Sequence, residues 1–309
     1  MLSYLHGYHA GNAADVLKHS ALVFCLDYLR KKEKPLLCVD THAGAGLYNL
    51  TGADPKPRAE GSPHADSRQN REWEKGIGRL LETTEELPAM IASYVKLAYL
   101  RSLGLRPLGG EPVRYSGSPL IAAMSLRKGD RLVCFELHPG ELDALKVSMA
   151  GICGEDWPLV EVRGEDGTAG LLSLLPPPSR RGLILIDPSW EDLSEYESIP
   201  QAVLKGLKRF PTGTFIIWYP LLALPRGKSH SSRCDLPPGD VLFGLSNGKR
   251  LRVELMTGKA ESSPRLMYGS GLVIFNPPWT LRPALEEALP YLAKVLGGNE
   301  GSWQLCFTE

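Results

Sequence analysis

The stretch Gly182-Leu-Ile-Leu-Ile-Asp-Pro-Ser-Trp190 decides the fold: an apolar, β-branched run with no charge until Asp187. Such a run reads as a strand buried on both faces, and strands of that kind belong to parallel sheets covered by helices. Working outward, comparable runs occur at Leu36-Leu-Cys-Val39, Arg131-Leu-Val-Cys-Phe135, Leu159 to Val162 and Gly213 to Tyr219. Helical spacing separates them: Leu17, Ala21, Phe24 and Tyr28 predict a helix over 13–33, and shorter helices are predicted through Ala122 to Leu126 and Leu171 to Leu175. Leu251 to Met256 and Gly271 to Phe275 lie too close for a crossover helix and predict an antiparallel hairpin that closes the sheet. The expectation is an α/β fold with a mostly parallel, seven-stranded sheet.

Residues 50–114 interrupt this alternation. Thr51 to Asn70 is rich in Pro, Gly, Asp and Ser and reads as loop, 71–101 carries helical spacing, and 104–114 is irregular again. The chain is therefore expected to consist of one domain made of 1–49 and 115–309, with 50–114 as an inserted helical subdomain. Leu221 to Asp240 is expected to be rich in loop.

The polar residues of interest fall just after the strands. Asp40-Thr-His-Ala-Gly-Ala-Gly46 follows the first, and a glycine turn there lets backbone approach a ligand, although it also serves as an ordinary tight turn. Glu136 follows the second, where an acidic residue can hold ribose hydroxyls; it comes far later than the usual interval of about 20 residues, and the insertion accounts for the excess. Asp166-Gly167 follows the third and can present a carboxylate and an N–H to an adenine edge, or be a plain Asp-Gly turn. Open parallel sheets bind ligands at these carboxyl ends.

Asp187-Pro-Ser-Trp190 resembles the Asp/Asn-Pro-Pro-aromatic signature of amino-methyltransferases. The exocyclic nitrogen of adenine is a weak nucleophile, because its lone pair is delocalised into the ring. A carboxylate and the carbonyl of Pro188 can hold its two hydrogens and align the lone pair, and the Trp190 ring can stack on the base. Asn276-Pro-Pro-Trp279 matches the bare signature better, but it follows the antiparallel last strand, whose end lies opposite the cofactor side; it is read as a structural turn.

Taken together, Met1-Leu-Ser-Tyr4, His9-Ala-Gly-Asn12, Asp15-Val-Leu-Lys-His19, Asp40 to Gly46, Ser116-Gly-Ser-Pro-Leu-Ile-Ala122, Glu136-Leu-His-Pro139, Arg180 to Pro188 and Asn276 to Trp279 resemble, in order and along most of the chain, the RlmJ family of large-subunit ribosomal RNA adenine-N6 methyltransferases. The resemblance implies a Rossmann-like class I fold with a small helical insertion. It implies that S-adenosylmethionine is held by Lys18, His19, His42, Ser118, Glu136, Asp166 and Gly167, and that Asp187 is catalytic. It also implies that Tyr4 helps with the substrate and that the substrate is protein-free 23S ribosomal RNA. Ser189 and Trp190 stand where the family has Pro and Tyr. The same chemistry on DNA adenine or a protein amide, or a non-catalytic RNA-binding assembly factor, are the alternative readings.

Composition sets the remaining bounds. The 309 residues are 43% hydrophobic and 23% charged, with 35 basic and 35 acidic side chains. No global charge announces a nucleic-acid partner, so RNA contact must be local. Candidates include Arg30-Lys-Lys32, Arg114, Arg127-Lys128, Lys208-Arg209 and Lys249-Arg250, and only clustering beside Asp187 would favour RNA. Six scattered cysteines without a Cys-x-x-Cys pair suggest buried thiols and no metal. Neither a signal peptide nor a membrane span is read, so a cytoplasmic monomer is expected.

Overall fold

Asn12 starts the first helix: its side chain accepts the Asp15 N–H, and α1 (Ala13–Arg30) runs from there to a basic last turn. The helix is buried on nearly every side from Ala14 to Leu26, because it is wedged between the sheet and the inserted helices. The computed structural model describes residues 9–50, 72–99, 114–151, 156–222, 236–259 and 267–309.

After α1 come β1 (Leu37–Asp40), β2 (Leu47–Asn49), α2 (Glu72–Lys75), α3 (Ile77–Glu82), α4 (Ala89–Ala98), β3 (Arg114–Ser116), α5 (Ser118–Ser125), β4 (Arg131–Phe135), α6 (Pro139–Ala150) and β5 (Leu159–Arg163). The second half holds α7 (Gly167–Leu171), β6 (Gly182–Ile186), α8 (Glu195–Arg209), β7 (Thr214–Leu222), α9 (Pro238–Phe243), β8 (Arg250–Met256), β9 (Met267–Phe275), α10 (Leu281–Leu292) and β10 (Ser302–Thr308).

The main sheet has the order β10-β8-β9-β7-β6-β1-β4-β5. β7, β6, β1, β4 and β5 are parallel; β9 is antiparallel to both β7 and β8. Strands β1 and β6 are buried at every position, as their apolar runs require. The expected seven strands become eight. β10 pairs antiparallel with β8 at the sheet edge and is mostly exposed, so Ser302-Trp-Gln-Leu-Cys-Phe-Thr308 lacks the continuous apolar run that marks the inner strands.

The helical spacing read over 71–101 takes the form of three helices among the described residues. The break before α3 lets the Ile77 N–H donate to the Gly11 carbonyl, and Pro88 forces a new start before α4. β2 and β3 pair antiparallel at the neck of the insertion, with Leu47 opposite Ser116 and Asn49 opposite Arg114. Arg79 donates to the carbonyls of Val295 and Leu296, tying α3 to the turn after α10. Much of the Leu221 to Asp240 segment, at 223–235, lies outside the described residues. Cys25, Cys38 and Cys134 are buried thiols, whereas Cys306 is exposed. No helix among the described residues is long and apolar enough to cross a membrane.

Candidate active site

The carboxyl ends of β1, β4, β5 and β6 open into a cavity of about 730 Å³. His42, Ser118, Glu136, Asp166, Gly167 and Asp187 all line it, so the fold brings together six residues that the sequence scatters over 146 positions, 42 to 187 inclusive.

Local geometry explains how each arrives. Gly44 and Gly46 have φ of 60° and 80°, a region that side chains disfavour, and they fold the chain after β1 into a tight turn. The Gly46 carbonyl accepts the Gly117 N–H, which delivers Ser118 at the start of α5. Glu136 is fixed from two sides: Oε2 accepts the Gly44 N–H at 2.8 Å and Oε1 the His138 N–H at 2.7 Å. Asp166 caps α7, accepting from Thr168 and Ala169 N–H. Burial opposes its charge, but these hydrogen bonds outweigh it and hold the carboxyl below its usual range. A side chain at Gly167 would put its Cβ 2.1 Å from the Thr41 carbonyl oxygen, so only glycine allows α7 to pack this closely on the turn after β1. The Thr41 hydroxyl donates to the Leu185 carbonyl, which leaves it to accept from His42 Nδ1–H at 2.7 Å. Burial pushes His42 below its ordinary value and keeps the ring neutral.

Lys18 and His19 do not line the cavity. They lie beneath it on α1. Lys18 Nζ sits 2.5 Å from Asp187 Oδ2 and 2.8 Å from Asp15 Oδ1, in a setting that leaves Lys18 3% exposed. Burial works against its charge, yet the two carboxylates more than offset this and raise its pKa. His19 Nδ1 lies 2.8 Å from the Tyr115 hydroxyl. Asp40, at the end of β1, is also buried; burial, with a smaller contribution from the charge of Asp187, pushes it up to about 6.

Trp190 is a correction. None of its surface is exposed. With φ at 55° the chain turns its indole into the core, where Nε1–H donates to the Trp218 carbonyl at 2.9 Å and the ring meets Tyr196 edge-on. The stacking face expected from the sequence is inside the protein. Pro188 is buried and is not part of the cavity lining. Ser189 does line the cavity, and its hydroxyl donates to Glu195 Oε2 at 3.2 Å. Tyr4 lies outside the described residues.

The rival Asn276-Pro-Pro-Trp279 sits at the other end of the sheet. Phe275 pairs with Phe215 at the start of β7, and Asn276 Nδ2 donates to the carbonyls of Pro211 and Gly213. Trp279 is 77% exposed there. The basic clusters share that end: Arg127 donates to the carbonyls of Arg30 and Lys32, and Lys208-Arg209 closes α8 just before β7. Among the described residues these clusters do not face Asp187.

Tyr115 and the acidic wall of Glu191, Asp192 and Glu195 carry no sequence signal that singles them out. Asp15 stands three residues before Lys18 on one helix, a spacing that makes it a candidate partner for Lys18 from the sequence, and the structure pairs them at 2.8 Å. Nothing local marks Glu195.

The donor set suits S-adenosylmethionine. Each Glu136 oxygen keeps a lone pair for a ribose hydroxyl beyond its backbone bond. Several carboxylates face a space that would take a ligand of net positive charge, and the volume is that of a nucleoside-sized site. A mostly parallel sheet with acidic residues at successive strand ends around one cavity fits the Rossmann-like methyltransferase class.

The chain belongs to the RlmJ family: the family model described as "Ribosomal RNA large subunit methyltransferase D, RlmJ" matches residues 33–308. It is 40% identical to the "Ribosomal RNA large subunit methyltransferase J" of Haemophilus influenzae, over 98% of this chain and 97% of that one. The protein of the same description from Escherichia coli is 37% identical, over 96% and 94%. A crystal structure of a Legionella pneumophila protein, LPL1258, superposes with a TM-score of 0.79 at 31% identity, covering 97% of this chain and 99% of that one.

Proposed function

We propose that the protein transfers a methyl group from S-adenosylmethionine to N6 of an adenosine in 23S ribosomal RNA not yet covered by ribosomal proteins. The observation that carries this reading is Asp187, 12% exposed at the end of β6, facing the same cavity as Glu136 and Asp166 while Lys18 grips it from below. The names of the relatives supply the RNA class; the carboxylate beside the cavity supports an amine acceptor.

S-adenosylmethionine brings an electrophilic methyl group on a sulfonium. Glu136 would hold its ribose hydroxyls, and Ser118, Asp166 and Gly167 would border the rest of the bound molecule. Lys18 occupies Asp187 Oδ2, leaving Oδ1 to accept a hydrogen bond from the target amine; the Pro188 carbonyl would serve as second acceptor only once the bound base reaches below the present lining, of which Pro188 is not part. Holding both amine hydrogens turns the nitrogen lone pair toward the methyl group. Asp187 then stands next to the proton that the amine sheds. Trp190 serves by anchoring the chain after Ser189 through its bond to Trp218. Treating 1–49 and 115–309 as the catalytic domain and 50–114 as an insertion is part of the proposal, supported by the β2–β3 ladder at the neck.

The test is transfer of labelled methyl to 23S transcripts, assembled subunits, adenine-containing DNA and an amide peptide in parallel, with the product nucleoside identified by mass spectrometry. N6-methyladenosine in the free transcript alone is expected, with loss in Asp187→Ala. Undiminished transfer by that variant would remove Asp187 from its role, and label in DNA or peptide would move the substrate.

A further inference from the structure

Asp187 is the visible end of a longer buried chain. Lys18 bridges Asp187 and Asp15, at 2.5 and 2.8 Å. Asp15 is itself pinned, because Oδ2 accepts the Gly11 N–H at 2.8 Å. His19, on the next position of the same helix face, has Nε2 3.7 Å from Asp15 Oδ1, and Nδ1 lies 2.8 Å from the Tyr115 hydroxyl. Tyr115 in turn meets the Tyr94 hydroxyl at 3.2 Å. Burial, helped by the charge of Asp15, pushes both phenols well above their ordinary values, so they stay neutral donors. All of these groups except Asp187 are buried. They run from the end of β6 through α1 to β3 and to α4 of the insertion.

A lysine side chain has four rotatable bonds, and one partner would leave its head group free to follow Asp187. Two partners remove that freedom. Because Asp15 is fixed by backbone, it sets where the ammonium lies, and the ammonium sets the Asp187 carboxylate. Sharing one positive charge between two carboxylates also keeps Asp187 a stronger acceptor than a fully neutralised contact pair.

From this juxtaposition we infer that Asp15 is a positioning residue for Asp187, acting through Lys18, and that Tyr115 and Tyr94 tie it to the insertion, so that seating of the insertion and alignment of the carboxylate are one network. The inference rests on Asp187 being the group that meets the amine.

The test measures kcat, the KM for 23S transcript and the calorimetric affinity for S-adenosylmethionine in the full chain with Asp15→Asn, Tyr115→Phe, both together, and Asp187→Asn. Misplacing a catalytic group by about 1 Å costs on the order of 100-fold in rate. Asp15→Asn is therefore expected to lower kcat about 100-fold and Tyr115→Phe about 10-fold, with KM and cofactor affinity within about threefold of the parent. The double variant should be no slower than Asp15→Asn alone, since neighbours in one network are not additive.

An Asp15→Asn protein at parental kcat, or rate losses that simply multiply, overturns the inference. So does a loss confined to cofactor affinity, which a purely structural role would give. If Asp15→Asn does not fold, Tyr115→Phe and Tyr94→Phe decide, because both keep the ring in place; parental kcat in both overturns it. Asp187→Asn at parental rate would remove the underlying reading instead, whereas an inactive Asp187→Asn beside a fully active Asp15→Asn removes this inference alone.

Discussion

Lys18 Nζ and Asp187 Oδ2 are 2.5 Å apart, with Lys18 on the first helix and Asp187 at the end of β6. Lys18 thus belongs to the floor under Asp187, one layer below the cavity. Lys18→Met would leave Asp15 and Asp187 facing each other without their cation. Breaking a buried pair in this way costs about 3–5 kcal/mol. Urea midpoints of parent and variant test this: a loss under about 1 kcal/mol would mean that the charge of Lys18 is immaterial.

Glu136 ties the turn after β1 to the turn after β4 through Gly44 and His138. Glu136→Gln keeps one acceptor oxygen but sets an NH2 group against a backbone N–H. Cofactor affinity is expected to fall about tenfold or more, on the order of 1.5–3 kcal/mol for hydrogen bonds to a charged group. Calorimetry with S-adenosylmethionine reads this directly. The kcat at saturating cofactor should change much less, since Asp187 is untouched.

Trp190 is a core residue. Trp190→Ala removes a fully buried indole and leaves the Trp218 carbonyl without that donor, so a loss of about 3–5 kcal/mol is expected in denaturant unfolding. Trp190→Phe should cost about 1–3 kcal/mol through the orphaned carbonyl alone. A surface stacking residue would instead change stability by under about 0.5 kcal/mol and act on the RNA KM. Finding that pattern would restore the base-stacking role.

The strands and their carboxyl ends were legible because apolar runs and the polar residue that stops each one are local signals. Leu37–Asp40, Arg131–Phe135 and Gly182–Ile186 come out close to where the sequence puts them. Asn276 was also placed correctly as a turn, because the antiparallel direction of β9 follows from the short connection before it. What stayed hidden was burial direction. Trp190 and an exposed stacking tryptophan share the same letters; only a positive φ and a carbonyl 28 residues away turn the indole inward. Likewise β10 shows no buried run, since an edge strand buries little of itself. Lys18 reads as a cofactor ligand by family position, but its partners are two carboxylates, one of them 169 residues away.

Asp40 gives the molecule a pH dependence of stability. Its carboxyl is pushed from an ordinary 3.8 up to about 6, by burial first and then by the charge of Asp187, with the Ser118 hydroxyl and the His42 N–H pulling the other way. A group raised in the folded state contributes stability that is fully present below its unfolded value and lost as pH rises through its folded one. The protein should therefore lose stability between about pH 4 and 6 through this residue. A shift of about two pKa units corresponds to roughly 3 kcal/mol. Asp40→Asn keeps the acceptor for His42 N–H and removes the charge. The variant should match the parent near pH 4 and exceed it above pH 7, in urea midpoints taken across that range. A constant difference at every pH would show that Asp40 is ionised throughout, with its charge compensated by Lys18. Because Asp187 helps to hold Asp40 up, the gain from Asp40→Asn at pH 8 should also be smaller in an Asp187→Asn background, which locates the effect at the end of β1 beside Asp187.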